Sequence, residues 1–449
     1  MSGGNYYDVT QWGTGNPYTD IGEVINSIID DIKMRQTDTN AGDGGKPGAV
    51  IFIPSGDYHL RTQVVIDISY LKIMGTGHGF ESSSIRFNVP EDKWPELHEL
   101  WPGGSRIIND LTVYEDSSES DGAAFYIKRE GNPRISSVEF QNFCIDGLHF
   151  VDNGTGDAEN TYLNGKTGIY AASANDSFRI TEMGIVYCEH GIVMCHSDAL
   201  SVHDNFIAEC GNCIELREYG QASKITDNLI GAGYRGYSIF AENFGGLLVT
   251  SNNVFPRGKS SLHFSNVQRS SVSSNRFHSF YPGMLILAEN SSENLISSNH
   301  FLRDHEPWPP MKRYDNGQMD TFGLIVVSGS HNSILANHIS ETIAREYLKP
   351  DPDTKPVIIR IVSGSDNYIS NNHIVTTTEA GKKEEDENSC FEAQVSALLA
   401  SERLTDLPAV YVKVEEKAVG NVVLDTGTEE QVIMNRKVNV LRALPAVGA

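Results

Sequence analysis

Val202-His-Asp-Asn205-Phe-Ile207, Ile225-Thr-Asp-Asn228-Leu-Ile230 and Val249-Thr-Ser-Asn252-Asn-Val254 are one phrase written three times: an apolar residue, two polar ones, Asn, any residue and a second apolar one. The phrase continues, with minor variation, as Val272-Ser-Ser-Asn275-Arg-Phe277, Ile296-Ser-Ser-Asn299-His-Phe301, Ile334-Leu-Ala-Asn337-His-Ile339 and Ile369-Ser-Asn-Asn372-His-Ile374. Successive asparagines are 23, 24, 23, 24, 38 and 35 residues apart. A period near 23 built on short strands matches no helical repeat. Each regular unit also holds a further strand: Ile214-Glu-Leu216, Ser238-Ile-Phe240, Leu262-His-Phe264 and Leu285-Ile-Leu287. Three strands of ~4–6 residues with their turns fill one rung of a triangular coil. A lone rung cannot bury its apolar face, but stacked rungs share a continuous core. The expected fold is therefore all-β, a single-stranded right-handed parallel β-helix. The asparagine is expected to recur because it tolerates the left-handed backbone of a tight bend, and because stacked amides bond to the backbone and to the next rung.

Outward from this ladder, Asp20-Ile-Gly-Glu-Val-Ile-Asn-Ser-Ile-Ile-Asp-Asp-Ile-Lys33 has apolar residues at helical spacing behind a capping Asp, which predicts a helix closing the N-terminal end of the coil. Gly48-Ala-Val-Ile-Phe-Ile-Pro-Ser-Gly-Asp-Tyr58 reads as a strand, a turn and the first rung, and Gly75-Thr-Gly-His-Gly79 as a turn. The two long spacings predict insertions near 303–322 and 340–355, and such loops often build the binding face of a solenoid. Residues 379–388 are a charge-rich linker, Phe391 to Leu404 reads as a short amphipathic helix, and Val410-to-Val414 and Val432-to-Val440 as closing strands. The organisation expected is a β-helix domain over 1–376 and a C-terminal strand and helix extension over 377–449.

Composition narrows the function. A formal charge of −24 argues against nucleic acid and anionic membrane as partners, and leaves neutral carbohydrate compatible. No run approaches the ~18 apolar residues of a membrane span. Met1-Ser-Gly-Gly-Asn-Tyr-Tyr-Asp8 lacks a basic region followed by an apolar one, and the six cysteines (Cys144, Cys188, Cys195, Cys210, Cys213, Cys390) are scattered. A reduced, cytoplasmic protein is expected. Cys210-Gly-Asn-Cys213 is a lone CxxC, read as buried thiols rather than a metal site.

No zinc motif, phosphate loop or nucleophile elbow occurs, which leaves carboxylates, the usual tools for glycosidic bonds. The densest stretch contains two Asp/Glu pairs eleven residues apart, Asp198/Glu209 and Asp204/Glu215. Strand parity points Ile214 and Leu216 inward and Glu215 outward, in line with Ile239, His263, Ile286 and Val326. A largely apolar outward face suggests burial against another subunit, and an acid there would be desolvated and its pKa raised, as suits a general acid. The competing reading is a surface Glu paired with Arg217. Asp204 lies beside the ladder Asn, where a turn role competes with catalysis; Asp198 and Glu209 lie at strand edges. Arg257 and His263 are candidate contacts for sugar hydroxyls, against a solvated basic loop. His300, His338 and His373 form a stripe read as surface.

Several strings here are unusual: Asp198-Ala-Leu-Ser-Val202, Ile207-Ala-Glu-Cys-Gly-Asn-Cys-Ile-Glu-Leu216, Tyr219-Gly-Gln-Ala222, Phe255-Pro-Arg-Gly-Lys259, Phe280-Tyr-Pro-Gly-Met284 and Pro307-Trp-Pro-Pro310. In them the chain resembles the inulin fructotransferase and difructose anhydride III hydrolase family, along nearly its whole length. The resemblance implies a homotrimer with active sites between subunits, an Asp/Glu pair, no metal and no organic cofactor. By it Glu215 would be the acid, later the base, and Asp204 would orient the attacking hydroxyl or stabilise charge at the anomeric carbon; Asp198/Glu209 stays as the alternative pair, and Arg217, Arg257 and His263 as substrate contacts. The expected activity is hydrolysis of the cyclic dianhydride to inulobiose, with dianhydride formation from inulin as the alternative. Outside the family, a calcium-dependent lyase on a polyanion is disfavoured by the net charge, and a non-catalytic trimeric glycan-binding coil has little need of carboxylates at an interface.

Overall fold

The computed structural model describes residues 5–35, 48–79, 91–99, 103–131, 133–147, 163–232, 236–255, 260–279, 282–304, 322–344, 356–379, 403–405, 409–424, 426, 432–433 and 439–440. They form two compact units, one within residues 1–236 and one from Tyr237 onward.

In the first unit three parallel sheets run along a stack of rungs. Sheet I includes Leu71–Gly75, Glu139–Gln141, Arg179–Thr181, Ser201–His203 and Lys224–Thr226. Sheet II includes Ser105–Asn109, Cys144–Asp146, Gly184–Val186, Phe206–Cys210 and Leu229–Ala232, and sheet III includes Ala123–Ile127, Thr167–Ala171, His190–Cys195 and Asn212–Arg217. The chain visits the sheets in turn and each strand pairs in parallel with the same strand of the next rung, which is the single-stranded right-handed parallel β-helix expected from the repeat. Two-residue strands, among them Ser197–Asp198, make a small fourth sheet at the corner between III and I.

Register stacks like on like. Ile180, Val202 and Ile225 align on sheet I, Ile185, Ile207 and Ile230 on sheet II, and Phe125, Ile169, Ile192 and Ile214 on sheet III. All are fully buried, each contributing about 1.5–3 kcal/mol of hydrophobic stabilisation. The second unit follows the same plan. Its interior columns include Val249, Val272, Ile296, Ile334 and Ile369, and Leu262, Leu285, Ile325 and Ile359.

The asparagine ladder is present in both units. In the first, Asn205 Nδ2 donates to Asn228 Oδ1 at 2.9 Å. In the second, Asn252, Asn275, Asn299 and Asn337 each donate to the next Oδ1, ending on Asn372, at 2.9–3.0 Å. Each receiving Oδ1 also accepts the backbone N–H of the asparagine before it. A second ladder, Asn294, Asn332, Asn367 and Asn421, occupies another corner. One expectation is corrected: the left-handed residue is not the Asn but the one before it, with φ of 57° at Asp204, 59° at Asp227, 58° at Ser251 and Ser274, 57° at Ser298, 56° at Ala336 and 54° at Asn371. The bend turns the following Asn inward, where its amide satisfies buried backbone groups.

The helix is found at Ile21–Arg35, here α1. Asp20 Oδ1 accepts the N–H groups of Gly22 and Glu23 at its start and those of Arg61 and Thr62 from the first rungs. Ile21, Val24, Ile25, Ile28, Ile29 and Ile32 are buried, and α1 packs on Val64–Ile66 and Gly56–Leu60. Ala49–Ile53 and Gly56–Leu60 are the strands expected there.

Two further corrections concern register and the C-terminal region. On the outward row of the second unit His263 pairs with Phe240, whereas Ile239 pairs with Leu262 and is buried. The row therefore reads Phe240, His263, Ile286, Val326, Arg360 and Lys413. Leu404, assigned to a helix from the sequence, lies in the strand Arg403–Thr405, antiparallel to His373–Glu379. The rest of that helix, residues 380–388 of the charged linker and most of both predicted insertions lie outside the described residues.

Candidate active site

Sheet III of the first unit positions a charged cluster on its outer side. In Asn212–Arg217 the alternation that buries Ile214 and Leu216 in the core turns Glu215 outward, opposite Val193 of the preceding rung. Glu215 is nevertheless only 4% exposed. Its Oε1 accepts hydrogen bonds from Arg217 Nη2 at 2.6 Å and Asn212 Nδ2 at 3.2 Å, and His190 Nδ1 lies 2.6 Å from its Oε2. His190 starts the neighbouring strand, in register with Asn212.

A second carboxylate reaches the cluster from far along the chain. Glu119 is carried by the loop between Ser105–Asn109 and Ala123–Ile127. That loop is fastened by Thr167 Oγ1 donating to the Glu119 carbonyl at 3.0 Å and Gln63 Nε2 donating to the Ser120 carbonyl at 2.6 Å. Arg217 donates from Nη1 to Glu119 Oε2 and from Nη2 to Oε1, the latter at 3.4 Å. His190 Nε2 lies 3.4 Å from Glu119 Oε1. Arg217 thus bridges two carboxylates, and His190 stands between the same two.

These contacts reverse the expected acidity of Glu215. Burial raises its pKa, but the hydrogen bond and charge of His190, with Arg217 behind them, outweigh burial and hold the carboxyl below its ordinary value. Burial disfavours the His190 imidazolium, yet the Glu215 hydrogen bond and the charges of Glu215 and Glu119 raise its pKa above the ordinary value. Both directions, and the contacts behind them, favour a Glu215 carboxylate beside a charged His190. The competing reading, a surface Glu paired with Arg217, has the partner right and the burial wrong.

The cluster opens on a cleft of about 430 Å³ whose walls include Tyr114, Glu115, Glu119, Leu163, Glu189 and His190. That volume is ample for a disaccharide, and the polar wall groups suit sugar hydroxyls. Among the described residues, no group of three or more His, Cys, Asp or Glu side chains is placed to hold a metal ion.

The other candidates stand apart from Glu215 within the chain. Asp204 is exposed at the left-handed corner between sheets I and II, its Oδ2 2.7 Å from His203 Nδ1. Asp198 lies in the small corner sheet, 3.3 Å from Arg134 Nη1, and accepts from Gln221 Nε2. Glu209 is buried in sheet II at a bulge, with φ 55°, where the register slips between Ala208 and Cys210. His263, in the second unit, packs its ring against Tyr237 and Phe240 at centroid distances of 5.2 and 5.5 Å. Arg257 lies outside the described residues. The structure thus unites Glu215 with Arg217 and adds His190, Asn212 and Glu119, which sequence reading missed. The signal for His190 was its place one rung before Asn212, 22 residues earlier; Glu119, 98 residues from Arg217, had none.

Comparison with known proteins gives a consistent picture. A family model described as the beta helix repeat of inulin fructotransferase matches residues 298–445, and one described as periplasmic copper-binding protein (NosD) matches residues 152–308. The chain is 41% identical over 380 residues to the DFA-I-forming inulin fructotransferase of Arthrobacter globiformis, covering 83% of this chain and 90% of that protein. It is 61% identical to the DFA-IIIase of Arthrobacter chlorophenolicus A6 crystallised with DFA-III, with a TM-score of 0.89 and 99% of each chain covered. The same enzyme crystallised with GF2 gives 61% identity and a TM-score of 0.88, with 99% of this chain and 100% of that chain covered.

Proposed function

This chain belongs to the inulin fructotransferase and difructose anhydride III hydrolase family of fructan-active enzymes, and from that premise we propose that it is the hydrolase, opening difructose anhydride III to inulobiose. The observation that carries this reading is the 61% identity, over 99% of the chain, to a DFA-IIIase crystallised with DFA-III, against 41% to a transferase. Glu215 is the acid: it protonates the glycosidic oxygen as the bond to the anomeric carbon breaks, then takes a proton from the water that adds to that carbon. Asp204 stabilises positive charge at the anomeric carbon. Since Asp204 and Glu215 lie on different faces of one chain, the working enzyme is a homotrimer in which Asp204 acts across a subunit boundary. The half-buried apolar side chains of the outward row, Phe240 and Ile286, favour such contacts. Five buried free thiols, Cys144, Cys188, Cys195, Cys210 and Cys213, favour work in a reducing cytoplasm.

The test is incubation of the purified protein with difructose anhydride III and, separately, with inulin, following released sugars over time, with light scattering for the oligomer. Inulobiose from the dianhydride is expected, from a particle of three chains. Dianhydride accumulating from inulin, with none consumed, would make the chain a transferase. No product from either, with binding retained, would leave a glycan-binding coil.

A further inference from the structure

We infer that His190 is the positioning residue of this site, holding the proton that Glu215 delivers, and that Glu119 holds His190 in turn; the inference rests on Glu215 being the acid. A carboxylate bonded at rest by Arg217, Asn212 and His190 has no proton of its own to give. Arg217 cannot supply one, because a guanidinium does not deprotonate in proteins. His190 is the group in the cluster whose proton can move. Its two ring nitrogens face two carboxylates, Nδ1 at 2.6 Å from Glu215 Oε2 and Nε2 at 3.4 Å from Glu119 Oε1. That is the setting of a doubly protonated ring.

The remaining charged groups around it do not compete. Glu189 Oε2 accepts the Gly165 N–H at 2.7 Å, Lys166 Nζ is bonded to the Leu111 carbonyl, and Tyr170, pushed up to about 12 chiefly by burial, stays neutral. The raised pKa of His190 and lowered pKa of Glu215 agree with this arrangement. The step balances as a relay. The Nδ1 proton moves to Glu215 Oε2 and from there to the leaving glycosidic oxygen, which leaves His190 neutral and Glu215 again a carboxylate. When water adds to the anomeric carbon, its proton returns through Glu215 to His190. Glu119 keeps the ring charged between turnovers, and Arg217 ties Glu119 to Glu215 so that the spacing holds.

The measurement is the pH profile of kcat/KM for difructose anhydride III in the wild type, H190Q, E119Q and E215Q, each checked for fold by circular dichroism. The wild type is expected to lose activity on the alkaline side as His190 deprotonates. H190Q is expected to lower kcat about 100-fold, to leave KM within about threefold and to abolish that alkaline limb. E119Q is expected to move the limb to lower pH, and carries the test alone if H190Q does not fold. Profiles of H190Q and E119Q that overlay the wild type would overturn the inference. E215Q separates it from the reading beneath: if E215Q is inactive while H190Q and E119Q keep the wild-type profile, only the role of His190 fails. If E215Q turns over at the wild-type rate, the acid is elsewhere and both fail.

Discussion

Glu341 and Glu215 are both buried carboxylates paired with arginine, and their surroundings differ. In the second unit Arg303 and Glu341 are both fully buried and stand opposite each other on adjacent strands, with Arg303 Nε 2.8 Å from both Glu341 oxygens and Nη2 2.5 Å from one. In that pair both side chains are fully buried, and the guanidinium does not give up a proton. In the first unit Arg217 and Glu215 have nearly the same contact, but a second carboxylate, an imidazole and a cleft are added. Burial and pairing alone therefore do not mark a reactive acid. The proposed acid differs from the sealed pair in having an imidazole beside it and a cleft at the neighbouring His190 and Glu119.

The contrast breaks if E215Q leaves hydrolysis intact; the expected outcome is a loss of about 10²- to 10⁴-fold in rate, measured on difructose anhydride III, with the fold retained. At the sealed pair the expected loss is in stability. R303A takes the arginine away from the buried Glu341 and should cost about 3–5 kcal/mol in urea unfolding, whereas the double replacement R303M/E341L should come back close to the wild type. A double variant as unstable as R303A would show that the sealed pair does more than cancel its own charges. Neutral buried polarity sharpens the comparison further: N275A removes one amide from the ladder, strands the Asn252 N–H and the Val249 carbonyl, and should cost about 1–3 kcal/mol.

The smallest effect is in pH. His190 has a raised folded pKa, so its contribution to stability is complete below its ordinary pKa and is lost as pH rises through the folded value. Glu215 has a lowered one, so its contribution is present above the ordinary carboxylate range and is lost as pH falls through the folded value. Between the two the pair is intact. The unfolding free energy measured in urea on the alkaline side should fall in the wild type, by no more than about 1.4 kcal/mol per pH unit for this one group, and the fall should be smaller in H190Q. An equal fall in both would assign it to other groups.

The ladder was legible because a stacked amide needs the same residue at the same corner in every rung. The bend beside it was misread by one residue, since Asp204 or Ser274 at φ near 57° leaves no composition signal when the strain is met by the neighbouring Asn. The outward row was misread at Ile239 because Ile239 and Phe240 are both apolar, and parity cannot be read where both faces carry apolar residues. Glu215 was legible as the odd acid between Ile214 and Leu216. His190 was not, because every residue of His190–Cys195 is buried and the run shows no alternation. The lowered pKa of Glu215 was out of reach for the same reason: against burial it is set first by His190, with Arg217 behind it.

The left-handed corner has an outcome of its own. A non-glycine residue there costs roughly 1–2 kcal/mol, yet the bend is fixed by the backbone and by the asparagine that follows, so the corner tolerates aspartate at 204 and 227, serine at 251, 274 and 298, alanine at 336 and asparagine at 371. Within each unit the row is a set of mounting points about 4.8 Å apart from rung to rung, on which a functional group is gained or lost by one codon change without rerouting the chain. Evolution has a cheap way to move chemistry along such a coil, and a protein engineer has the same one.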